Sequence, residues 1–146
     1  MPSWTRCAEG VEALPEEKRL AIDTEGDIVT ARQVGREMAA GLGFSLGDLT
    51  LIATAISEIT RNIVDHAGSG EVVIRIDTNG VAQGITIAAT DTGPGIDDIE
   101  LAMEDGYTSK NGLGLGLPGS KRIMDEFAIE SISGEGTTVV MKKWRL

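Results

Sequence analysis

The stretch Glu71-Val-Val-Ile-Arg-Ile-Asp-Thr-Asn-Gly-Val-Ala-Gln-Gly-Ile-Thr-Ile-Ala-Ala-Thr-Asp91 decides the fold. Val72, Ile74 and Ile76 alternate with Val73, Arg75 and Asp77, and Ile85, Ile87 and Ala89 alternate again further on. Successive side chains of an extended backbone point to opposite sides, so a period of two marks strands with one buried face. Asn79-Gly80 supplies a tight turn between the two runs, and the whole reads as a β-hairpin. One apolar face of a hairpin needs a cover.

The flanks provide it. Upstream, Ser45 followed three residues later by Asp48 is a capping signal, and Leu49, Ile52, Ala53, Ile56, Ile59 and Ile63 keep helical spacing for about five turns. A helix is also expected from Asp27 to Ala40, with Ile28, Ala31, Val34, Met38 and Leu42 on one stripe and Gly41 and Gly43 ending it. A short strand, Lys18 to Asp23, precedes it. Downstream, a brief helical pattern runs from Gly119 to Phe127. Two further strands, Phe127 to Ser133 and Thr137 to Trp144, are joined by Gly134-Glu135-Gly136. Each helix has a single apolar stripe to bury, so the economical assembly is α/β, an α+β sandwich. Its mixed, largely antiparallel sheet would carry the helices on one face. Residues 1–17 hold Pro2 and Pro15 and no period, which predicts a flexible N-terminal extension before a single domain, 18–146.

Composition narrows the function. A chain of 146 residues is the size of one domain, and no run approaches the roughly 18 apolar residues of a membrane span. Met1 to Glu17 lacks a basic segment followed by an apolar block, so no secretory signal is read there and cytoplasmic residence is expected. Cys7, the single cysteine, has no internal disulfide partner. A formal net charge of −10 argues against binding nucleic acid, which demands a dense basic surface. Between Gly106 and Arg122, however, Lys110, Lys121 and Arg122 stand without any acid. A basic, glycine-rich stretch in an acidic chain suits one small anion.

Three motifs carry candidate chemistry. Glu58, Asn62 and His66 recur every four residues on the long helix and form a stripe about 110° from the apolar one, at the margin between core and water. The Asn62 amide oxygen suits the octahedral shell of Mg²⁺. Glu58 could hold one of the ion's waters or take a proton from an attacking hydroxyl. A zinc pair of Glu58 and His66 lacks a third ligand. Asp91-Thr-Gly-Pro-Gly95 turns the chain where the second hairpin strand ends, and Gly93 and Gly95 let a flat ligand approach the backbone. An ionised carboxylate only accepts hydrogen bonds, so Asp91 would take one from the exocyclic amine of adenine and repel the keto oxygen of guanine. Gly112, Gly114 and Gly116 form a ladder opening a helix with Pro118 in its first turn, an arrangement that exposes N–H groups to phosphates. Each motif alone also has a plain reading: a solvated helix margin, an Asp-Gly turn, a lid without ligand. The dinucleotide fingerprint at Gly114, Gly116 and Gly119 fails because no apolar strand precedes it. No GxxxxGK[ST] string and no HRD or DFG motif occurs.

In this order the motifs resemble the GHKL ATPases and kinases: an N box (Glu58-xxx-Asn62-xxx-His66), a G1 box (Asp91-x-Gly93-x-Gly95) and a G2 box (Gly112-x-Gly114-x-Gly116), with Gly134-x-Gly136-Thr137 near the end. The resemblance implies the Bergerat ATP-binding fold and, as cofactors, ATP and Mg²⁺. Asn62 would hold the metal, Asp91 would bind adenine, and Thr137 would support Asp91 through its hydroxyl. Ala102 to Gly116, with Lys110, would form a lid over the triphosphate, and Glu58 would be the base or water organiser. The string from Glu104 to Phe127 is similar to the RsbT-type serine/threonine switch kinases of the stressosome. That subgroup implies phosphorylation of STAS-domain proteins, both stressosome scaffold and RsbS-like antagonist, and activation of a PP2C-type phosphatase. An anti-sigma factor on the same scaffold is the alternative. A histidine-kinase catalytic domain and a plain ATPase are further rivals, the first disfavoured because residues 1–17 are too short for a dimerisation helix pair.

Overall fold

A computed structural model describes residues 16–96, 99, 103 and 116–145. Strand β1 spans Glu17–Ile22, helix α1 Glu25–Gly41 and helix α2 Leu46–Asn62, which continues through a π-helical turn, Ile63–Ala67. The hairpin follows as β2, Gly70–Asn79, and β3, Ala82–Asp91. Helix α3, Gly116–Ile123, leads into β4, Glu126–Ile132, and β5, Gly136–Arg145.

The sheet order is β1-β2-β3-β5-β4, and every pairing among these strands is antiparallel. The expected parallel component of a mixed sheet is therefore missing among the described residues. Register explains why one face is apolar. Ile74 lies opposite Ile87, Ile87 opposite Met141 and Met141 opposite Phe127, while Val72, Ala89, Val139 and Ile129 form the neighbouring row. These rows, with Phe127 and Ile129 only partly buried at the β4 edge, pack with Ile52, Ile56, Ile59 and Ile63 of α2 and Ala31 and Met38 of α1 in one core. Each fully buried isoleucine contributes about 1.5–3 kcal/mol relative to exposure. That is the physical reason α1 and α2 lie on this face.

Element ends follow local chemistry. The Thr24 hydroxyl accepts from Asp27 N–H while the Asp27 carboxylate accepts from Asp23 and Thr24 N–H at 2.8 and 3.0 Å, a capping box that starts α1 two residues before the expected Asp27. Those two N–H groups favour the ionised form and hold the Asp27 carboxyl below its ordinary range. Gly35 and Ala39 are buried while Val34 is only half-buried, so the α1 stripe is rotated slightly from the expected one. Ser45 caps α2 by accepting from Asp48 N–H at 3.1 Å. Helix α3 starts three residues earlier than expected, still with Pro118 in its first turn, and stops at Ile123 rather than Phe127. Asp125 N–H there bonds Lys142 O at 2.9 Å and commits the chain to the sheet. Glu17 belongs to β1 and Glu16 O accepts from Ile76 N–H, so part of the expected extension is sheet. Residues 1–15 lie outside the described residues.

The opposite face of the sheet is polar at its centre. Asp77 Oδ1 lies 2.9 Å from Arg75 Nε, Asp77 Oδ2 lies 3.0 Å from Lys142 Nζ, and the Thr86 hydroxyl donates to Oδ2. Burial pushes the Asp77 carboxyl up, but the Thr86 hydroxyl, Lys142 and Arg75 outweigh it and the net shift is downward.

Candidate nucleotide site

Three chain segments meet at one end of the sheet. The first is the end of α2. Glu58 and Asn62 are half-buried one turn apart, and the Asn62 amide makes no capping hydrogen bond. Beyond Asn62 the helix widens, with Gly68 N–H reaching Ile63 O at 2.8 Å across five residues. Such π-turns gather at functional sites. His66, within the widened turn, is exposed.

The second segment is the end of β3. Asp91 Oδ1 accepts from Gly93 N–H at 2.9 Å and from Thr137 N–H at 3.3 Å. Among the described residues nothing hydrogen-bonds Oδ2. One carboxylate oxygen is thus spent holding the turn and the other is left as a fixed, pure acceptor.

The third segment is the β4–β5 turn. Gly134 N–H bonds Pro94 O at 2.7 Å, and the Ser131 hydroxyl accepts from Ile96 N–H at 2.7 Å. Thr137 Oγ1 meets Ser131 Oγ at 2.8 Å. The expected support of Asp91 by the Thr137 hydroxyl therefore takes another form here. The main-chain N–H of Thr137 reaches the carboxylate and its hydroxyl turns to Ser131.

Close approach joins the segments. A Cβ on Gly93 would lie 2.5 Å from Ala67 Cβ, so only glycine lets the end of α2 rest on this turn. Gly136, at φ 136°, leaves room for the Asp91 carbonyl, which a side chain there would strike. Gly70 is opposite Asp91, and a Cβ on it would approach Ile63 Cγ2 within 2.9 Å and Asp91 Cβ within 3.1 Å. Asn62 precedes Ile63, the residue that this close approach seats near Asp91. Gly95 has φ 79°, as a turn glycine does. Helix α3, which begins at Gly116, packs on α2, with Leu117 and the following Met124 in the core. Lys110, Gly112 and Gly114 lie outside the described residues, as does all of the expected lid except Met103 and Gly116.

The arrangement suits an adenine nucleotide with a divalent ion. Asp91 Oδ2 presents an acceptor beside backbone stripped of side chains, and Asn62 offers an amide oxygen. No three His, Cys, Asp or Glu side chains gather to hold a metal among the described residues. A Mg²⁺ bound here would draw most of its ligands from phosphates and water, its usual preference.

The model of the histidine kinase-, DNA gyrase B- and HSP90-like ATPases matches residues 47–146. The chain belongs to this ATPase family. It is 51% identical over 123 residues to the serine/threonine-protein kinase RsbT of Bacillus subtilis (strain 168), covering 84% of this chain and 92% of that one. It is 35% identical over 118 residues to an anti-sigma F factor of Caldanaerobacter subterraneus subsp. tengcongensis, covering 78% and 82% of the two chains. A crystal structure of the RsbU and RsbW domains of Rv1364c from Mycobacterium tuberculosis superposes with TM-score 0.61 at 21% identity, over 93% of this chain and 34% of that one. That likeness concerns the fold. The turn at Asp91, Gly93 and Gly95 was readable from sequence. Gly70 and Ser131 were not, because their roles arise from strand register and no local pattern announces it.

Proposed function

We propose that the protein is a switch kinase that transfers the γ-phosphoryl group of Mg-ATP to serine or threonine of STAS-domain proteins, and that it binds and activates a PP2C-type phosphatase. At the level of class it is a serine/threonine-protein kinase with an ATP-binding domain, as its membership and its 51% identity to RsbT imply. The observation that carries the reading is the divided Asp91 carboxylate, one oxygen locked into the turn and the other open.

Bound ATP supplies the transferable phosphoryl group, and Mg²⁺ neutralises its charge. The chain supplies alignment. Asp91 Oδ2 accepts the adenine amine and excludes guanine. The Asn62 amide oxygen holds the ion. Glu58, one turn earlier, orients the incoming hydroxyl or takes its proton. Lys110, Gly112, Gly114 and Gly116 would bind the phosphates in this reading, the glycines through backbone N–H groups that a helix start makes favourable to negative charge. Phosphoryl transfer needs chiefly positioning and charge stabilisation, within reach of a domain this small.

The test is incubation of the full chain with γ-labelled ATP, Mg²⁺ and a STAS-domain protein. Label on a serine or threonine of that protein is expected. Label released only as inorganic phosphate would contradict the kinase reading in favour of a plain ATPase. The relatives named anti-sigma F factor favour a second reading, sequestration of a sigma factor on the same scaffold. Retention of a sigma factor by the immobilised chain, with no retention of a phosphatase, would support it.

A further inference from the structure

Ser131 belongs to none of the motifs, yet it sits at a junction of the site. It lies opposite Thr137 across β4 and β5, and Thr137 lies opposite Asp91 across β5 and β3, so the three form one cross-strand row. Its hydroxyl touches three groups: Ile96 N–H at 2.7 Å, Gly136 O at 3.1 Å and Thr137 Oγ1 at 2.8 Å. Gly95, between Gly93 and Ile96, runs so close to this strand that a Cβ on it would fall 2.5 Å from Ile132 O and 3.2 Å from Ser131 Oγ.

A serine hydroxyl has one proton and two acceptor sites. Ile96 N–H occupies one acceptor site. If the proton goes to Gly136 O, the second acceptor site takes the Thr137 proton. If the proton goes to Thr137 Oγ1, the Thr137 proton is released for another acceptor. The two hydroxyls are therefore coupled, and the state of Ser131 decides whether Thr137 presents a donor or an acceptor beside Asp91.

We propose that Ser131 is a positioning residue of the nucleotide site: it fastens the Gly93–Ile96 turn to the β4–β5 hairpin and sets the proton direction of Thr137. This rests on the reading of Asp91 and Thr137 as the adenine-binding pair. Without the Ser131 hydroxyl, Ile96 N–H loses its acceptor and the turn that delivers Gly93 N–H to Asp91 Oδ1 is held less firmly. The Asp91 acceptor then no longer stands in a fixed place before the ligand arrives.

The test compares full-length wild type, Ser131→Ala, Ser131→Cys and Ser131→Thr by calorimetric titration with Mg-ATP. Amide hydrogen exchange of Ile96 and Gly93 in nucleotide-free protein and thermal unfolding accompany it. Ser131→Ala and Ser131→Cys should weaken ATP binding about tenfold, the worth of one hydrogen bond of about 1.4 kcal/mol. Both should speed exchange at Ile96 and Gly93 and raise the KM for ATP with kcat retained. Ser131→Thr, which keeps the hydroxyl, should restore all three. Unchanged ATP affinity in a folded Ser131→Ala or Ser131→Cys, with only the unfolding temperature lowered, would overturn the inference and leave Ser131 a structural residue. Failure of wild type to bind ATP would overturn the nucleotide reading itself, and this inference with it.

Discussion

Asp91 and Asn62 divide the site by what each side chain can offer. A carboxylate accepts hydrogen bonds and repels a carbonyl oxygen, whereas an amide oxygen is a neutral, hard ligand suited to Mg²⁺. Asn62→Ala should therefore weaken Mg²⁺-dependent ATP binding by about tenfold or more while leaving binding in chelator little changed, as titration with and without the metal would measure. Equal losses in both conditions would contradict the metal role. At this scale much of the site was legible: Asp91, Gly93 and Gly95 announce a tight turn where an apolar strand stops, and the chemistry of a lone acceptor follows from the residue type. The direction of the Thr137 hydroxyl was not legible. Its partner, Ser131, is fixed by register between β4 and β5, and in sequence it is an ordinary serine on an alternating strand.

Helices and strands were legible where periodicity is long and capped. The Ser45 cap and the isoleucine spacing specify α2 almost to the residue, and Asn79-Gly80 specifies the hairpin. Helix α1 starts ahead of the expected Asp27 because Thr24-Glu-Gly-Asp27 forms a capping box. Removing one partner tests it: Thr24→Ala should lower stability by about 1 kcal/mol in denaturant unfolding, the usual worth of such a cap. No loss would mean the box contributes nothing. The π-turn after Asn62 was hidden for a different reason. The turn ends with Ala67 seated against Gly93, a contact between segments far apart in sequence that no local pattern announces.

Among the described residues the sheet has one apolar face packed on helices and one polar face, and the polar face carries its own electrostatic lock. Asp77 between Arg75, Lys142 and Thr86 has a lowered folded pKa, so it binds protons less readily folded than unfolded. Its stabilisation is complete above the ordinary carboxylate value of 3.8 and is lost as pH falls below that through the folded value. Asp77→Asn should be less stable at neutral pH by about 1–3 kcal/mol, and its unfolding free energy should fall less steeply than the wild type's on acidification. Parallel pH curves for the two proteins would remove Asp77 from that role. Strand order is the part of the fold that sequence withheld. Nothing local says that β5 inserts between β3 and β4, since that placement depends on burying Val139 and Met141 beside Ala89 and Ile87 under α2.

The claim on which the functional account stands is that Asp91 reads the purine. Calorimetric titration of wild type and Asp91→Asn with Mg-ATP and Mg-GTP measures it directly. Wild type should bind ATP and discriminate strongly against GTP. Asp91→Asn, whose amide puts a donor where the adenine amine must approach, should lose ATP affinity by about 10- to 100-fold with its fold intact by circular dichroism. Equal binding of the two nucleotides by wild type, or unchanged ATP affinity in Asp91→Asn, would contradict the account.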